Sequence, residues 1–132
     1  MSGERKTPAQ TPRHYDLEVW RESMRLVREV YRLTASFPDE ERFGLTSQMR
    51  RAAVSIPSNI AEGAARGGTQ ELLRYLRIAR GSLAELDTQM LIARDLGFAP
   101  DGRGVQDDIQ LLVARLNALI SASSKRIAEE PE

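Results

Sequence analysis

Seven apolar residues at alternating steps of four and three, Leu72, Leu76, Ala79, Leu83, Leu86, Met90 and Ala93, form an unbroken heptad stripe. No other feature constrains the fold as much. Such a stripe is buried against helices that run nearly parallel or antiparallel to it, crossing at about 20°. Its limits are marked: Gly67-Gly68 and a capping Thr69 open the segment, Gly97 closes it, and Pro100-Asp101-Gly102-Arg103-Gly104 reads as loop.

Three further segments carry helical spacing. The first has Asp16 as its cap, places Leu17, Trp20, Met24, Val27, Tyr31 and Thr34 on one face, and stops at Phe37-Pro38. The second opens in the acidic triplet Asp39-Glu40-Glu41, suited to a helix N-terminus, or at Thr46 acting as a cap. It carries Leu45, Met49, Ala52, Ile56 and Ile60 before Gly63. The last follows Val105, Ile109, Leu112, Leu116, Leu119 and Ser123, with Ile127 at its end. Helices of roughly 20 to 28 residues rise about 30–40 Å. Short connections between them predict an all-α, antiparallel up-down-up-down four-helix bundle.

A chain of 132 residues has room for one such domain. The bundle is expected over residues 15–128, with residues 1–14 and 129–132 as disordered tails. The lack of cysteine excludes a disulfide scaffold, a zinc finger and a thiol nucleophile. A single histidine, His14, leaves little metal or proton-transfer chemistry, so no cofactor is expected. No apolar run approaches the roughly 20 residues of a membrane span. The polar start lacks a signal-peptide core, and the expected location is the cytoplasm.

Lysine plus arginine equals aspartate plus glutamate, 19 against 19, so the chain has no net field to attract polyanions. The distribution is uneven: residues 42–80 carry seven cationic and two anionic side chains. Arginine supplies 17 of the 19 cations, which favours planar contacts to phosphate or carboxylate.

Two features exceed what a bundle requires. With Arg74 at zero on a helical wheel, the core stripe lies near 120–200°, Leu73 and Leu91 near 260°, and Ile78 and Ile92 at about 0–40°. Apolar residues outside the stripe point to self-association, and Gly81, costly in mid-helix, points to a second backbone approaching there. The other feature is Pro57, which removes a hydrogen bond, crowds the carbonyl of Ala53 and costs about 3 kcal/mol in a helix interior. The apolar spacing stays in phase across it, which predicts one kinked helix with Ser55, Ser58 or Asn59 rebonding the disturbed backbone.

The run Phe43-Gly44-Leu45-Thr46-Ser47-Gln48-Met49-Arg50-Arg51-Ala52-Ala53-Val54-Ser55-Ile56-Pro57-Ser58-Asn59-Ile60-Ala61-Glu62-Gly63 closely resembles the signature of a bacterial four-helix-bundle family. That family comprises proteins encoded in intervening sequences of 23S rRNA genes, also called S23 ribosomal proteins. Trp20, the Tyr31 to Phe37-Pro38 segment and the stretch Ile78-Ala79-Arg80-Gly81-Ser82-Leu83-Ala84-Glu85-Leu86 look like the family's first and third helices, so the likeness covers about residues 15–125. The resemblance implies an antiparallel bundle that assembles into a ring, a homopentamer, and implies no known reaction. Distantly similar accessory proteins of diversity-generating retroelements form basic pentameric barrels that bind nucleic acid. This chain departs from them in having no net charge.

Gly63-Ala64-Ala65-Arg66-Gly67-Gly68-Thr69 comes near a phosphate-binding loop but lacks the lysine before Thr69 and follows a helix instead of a strand. Arg50, Arg51, Arg66, Arg74, Arg77 and Arg80 form the basic concentration that would contact nucleic acid. Asp107-Asp108 and the Glu85, Asp87 pair do not converge as an acid/base couple, and Ser55 and Ser58 have no base nearby in sequence. Ser55, Pro57, Ser58, Asn59, Glu62 and Gly63 read as a kink and a helix-end hydrogen-bond network. Leu73, Ile78, Leu91 and Ile92 read as oligomer contacts. The expected function is therefore non-enzymatic: a self-assembling scaffold or protein-interaction module. The alternative is an RNA-binding or ribosome-associated protein using the basic patch.

Overall fold

The computed structural model describes His14 and residues 17–129, and every helix among them belongs to one bundle. Its helices are α1 (Glu18–Thr34), α2 (Leu45–Ala65), α3 (Thr69–Asp95) and α4 (Arg103–Glu129), with one 3-10 turn at Asp39–Glu41. The Asp16 cap and most of both expected tails lie outside the described residues. Glu129, expected in the second tail, closes α4.

Side-chain pairings fix the direction of each neighbour. Tyr31 and Thr34 of α1 meet Arg50 of α2, whereas Trp20 faces a hollow shared with Ala61. Gly63 meets Leu72 and Tyr75, while Ser55 meets Ser82. Arg80 bonds Asn117 and Asp87 bonds Gln106. Glu22 pairs with Arg115, while Glu29 and Asp108 line one hollow. In each pair one residue number rises as the other falls, so all four adjacent helix pairs are antiparallel. Diagonal helices make no backbone contact, and α2 against α3 is the most extensive pairing.

The heptad stripe of α3 is buried along its whole length, packed against Met49, Ile56 and Ile60 of α2 and Ile109, Leu112 and Leu116 of α4 within one core. Leu73, expected outside the core, is buried too. It lies seven residues from Arg80, on the flank of α3 that α4 covers, so packing against two neighbours widens the buried face beyond the heptad stripe.

In α1 the expected face is rotated by one residue. The buried row is Val19, Ser23, Leu26, Val30 and Thr34, while Trp20 and Val27 are partly buried and Tyr31 is 43% exposed. Ser23 and Thr34 enter the core because each hydroxyl donates to a carbonyl of its own helix, Ser23 to Trp20 O at 2.7 Å and Thr34 to Val30 O at 2.8 Å. Hydrogen bonding within the helix removes the usual cost of burying a polar group.

Helix ends also differ from expectation. Asp39–Glu41 forms a separate turn, and α2 starts at Leu45, whose N–H donates to Glu41 Oε1 at 3.1 Å. Thr69 is the first residue of α3 and caps nothing; Gly68 holds the cap position. Gly97, at φ +78, closes α3 as expected: Gly97 N–H reaches Arg94 O and Phe98 N–H reaches Ala93 O, a Schellman ending. Arg103 and Gly104, expected in the loop, open α4.

Candidate interaction surfaces

The α2–α3 hairpin carries most of the residues singled out in the sequence. α2 continues through Pro57, which is buried beside Trp20, Met24 and Val27 of α1. Beside the proline, Ser58 Oγ donates to Val54 O at 2.8 Å and Asn59 Nδ2 to Ser55 O at 2.8 Å, each four residues back, and neither reaches the Ala53 carbonyl that Pro57 deprives of its helical donor. Asn59 also donates to Ser55 Oγ at 2.9 Å, and Ser55 shares a 2.8 Å hydroxyl–hydroxyl bond with Ser82. The network thus crosses to α3, and Ser82, which the sequence reading left unassigned, completes it.

Glu62 does not join that network. It accepts from Arg66 at 2.9 Å, and Arg66 also approaches Glu71 and stands over the Tyr75 ring. The hydrogen bond to Glu62, reinforced by Tyr75, raises the Arg66 pKa above its ordinary value. Gly63 has a separate role. A Cβ there would lie 2.7 Å from Tyr75 Cβ and 3.3 Å from Leu72 Cα, so only glycine permits this close approach of α2 and α3.

The six arginines do not form one track. Sixteen residues separate Arg50 from Arg66 on α2, about 24 Å at helical rise. Four are engaged within the chain. Arg50 donates to Thr34 Oγ1 at 2.8 Å and Tyr31 O at 3.3 Å, tying α2 to the last turn of α1. Arg66 pairs with Glu62, Arg74 approaches Glu71 and the Tyr75 ring, and Arg80 donates to Asn117 Oδ1 at 3.0 Å. Arg51 and Arg77 are exposed.

The outer side of α3 shows the other pattern. Ile78, Leu91 and Ile92 are 41%, 47% and 43% exposed, and Leu96 at the end of the helix is 58% exposed. Between them lie Gly81, Ala84, Glu85 and Thr88, all exposed, with the Glu85 carboxylate seven residues from both Ile78 and Ile92. No atom from outside its own helix turn approaches the position of a Gly81 Cβ, so within this chain no second backbone meets α3 there.

A third surface was not anticipated. Tyr31, assigned to the core by its spacing, instead lies beside Arg42, Phe43, Ser47, Arg50 and Arg51 around an open cleft. The adjacent Arg42-Phe43 pair was its available signal, but the loop position between the acidic turn and α2 hid it.

No helix among the described residues is long and apolar enough to cross a membrane. Residues 15–121 match the model of a family described as 23S rRNA-intervening sequence protein. No curated protein matches the chain.

Proposed function

We propose, from the premise that this chain belongs to the family of 23S rRNA-intervening sequence proteins, that it is a non-enzymatic cytoplasmic scaffold built from several copies of itself. The observation that carries this reading is the outer side of α3. Ile78, Leu91, Ile92 and Leu96 remain exposed after the bundle has closed, and Gly81, Ala84 and Thr88 between them leave room for close approach around the Glu85 carboxylate of that face. A mid-helix glycine that nothing in its own chain requires fits a contact between copies. A five-membered ring is the form of assembly tested. Light scattering on the purified protein at micromolar concentration is expected to give about 74 kDa, five times the 14.8 kDa subunit. A mass of one subunit would remove the reading.

The alternative, an RNA-binding or ribosome-associated protein acting through the six arginines, has weaker support. Arg50 and Arg80 are bonded to other helices, and the exposed Arg66 and Arg74 lie beside Glu62 and Glu71, which leaves Arg51 and Arg77 as the exposed members without a described carboxylate pair.

A further inference from the structure

We propose that the cleft where the end of α1 meets the entry to α2 binds single-stranded nucleic acid, with Phe43 stacking a base and Arg42 and Arg51 contacting phosphate. This goes beyond self-assembly, uses a surface other than the outer side of α3, and deepens the nucleic-acid alternative, with which it shares Arg50 and Arg51. The cleft is lined by Tyr31, Arg42, Phe43, Thr46, Ser47, Arg50, Arg51 and Val54, and none of these is acidic. The hollow between α1 and α4 offers the contrast: Glu22, Glu29 and Asp108 line it and would repel a phosphate.

Phe43 is 85% exposed, the most exposed of the large apolar side chains among the described residues. Its ring lies 4.8 Å from the Arg42 guanidinium, and the Tyr31 ring lies 4.5 Å from that of Arg50. Alternating cations and aromatic planes suit a strand whose bases are unstacked, since every base offers a π-face and every linkage a charge. Arg50, fixed by Thr34 and Tyr31, holds the wall of the cleft, while Arg51 projects to solvent beside it.

The acidic triplet just before the cleft does not close it. Glu41 directs Oε1 onto the N–H of Leu45, and neither Asp39 nor Glu40 lines the cleft. A duplex would not satisfy this surface, because its bases are stacked away from Phe43 and no free helix here fits a groove.

The test is fluorescence anisotropy with labelled single-stranded RNA, single-stranded DNA of matching sequence and an RNA duplex, each of roughly a dozen units. Either single strand is expected to bind more tightly than the duplex, and the tighter of the two identifies the strand type. Phe43→Ala is expected to weaken binding about tenfold. Arg51→Ala should reduce the salt slope by about one, while Arg126→Ala, in the last turn of α4, changes neither. No single-strand binding at about 50 mM salt, equal affinity for duplex, or unchanged affinity in Phe43→Ala would overturn the proposal. So would a loss of assembled mass in Phe43→Ala, which would assign the residue to contacts between copies. Light scattering on the same samples keeps failure of this site distinct from failure of self-assembly.

Discussion

Gly63 shows how much one missing side chain decides. The sequence places it at the end of an apolar series and in a helix-end network, yet it sits where α2 and α3 come close, with Tyr75 and Leu72 in the space a Cβ would take. Gly63→Ala must move backbone or the Tyr75 stem. It is expected to lower stability by about 1–3 kcal/mol, read as a lower thermal midpoint by circular dichroism; an unchanged midpoint would mean that the helices separate at no cost. At this scale sequence reasoning worked for residues whose role is local. Ser58 and Asn59 bond the carbonyls of Val54 and Ser55, four residues back, as their chemistry predicts, though not the Ala53 carbonyl that Pro57 leaves without a donor. Arg50, expected at a ligand, bonds the last turn of α1 sixteen and nineteen residues away, which no local pattern shows; Glu62, expected beside Asn59, pairs instead with Arg66 one turn on.

Among the elements, the clearest pattern gave the firmest result. The α3 stripe is buried as its heptads predict, because Leu, Ala and Met bury favourably without help. α1 carries a polar serine in its buried row and aromatic residues beside that row, so ranking by apolarity alone rotated its face. Pro57 illustrates a balance within one helix. Pro57→Ala restores a backbone donor worth part of the roughly 3 kcal/mol that proline costs. It also removes ring carbons packed beside Trp20, Met24 and Val27, at about 0.8 kcal/mol per buried methylene. The two changes largely offset, so stability is expected to rise by no more than about 1 kcal/mol, while the size or shape of the assembly changes in sedimentation. A clearly raised thermal midpoint with unaltered sedimentation would reduce Pro57 to a bend that fits α2 against α1.

For the whole molecule, topology was legible because the connections are short: Arg66–Gly68 alone links the two longest-packed helices and forces them antiparallel. The charge map was less legible. Seven cations between residues 42 and 80 look like one patch in sequence, but folding distributes them to both ends of a hairpin and sets two of them, Arg66 and Arg74, beside carboxylates. What the fold leaves unspent is apolar surface on α3, and the account stands on copies of the chain meeting there. Ile92 and Leu111 are both exposed, 43% and 48%, but on α3 and α4 respectively. The decisive measurement is the mass in solution, by light scattering, of Ile92→Asp beside Leu111→Asp. Ile92→Asp is predicted to fall to a single subunit with its helical spectrum intact, and Leu111→Asp to keep the assembled mass of the unaltered protein. Full assembly of Ile92→Asp, or dissociation of Leu111→Asp alone, would contradict the account.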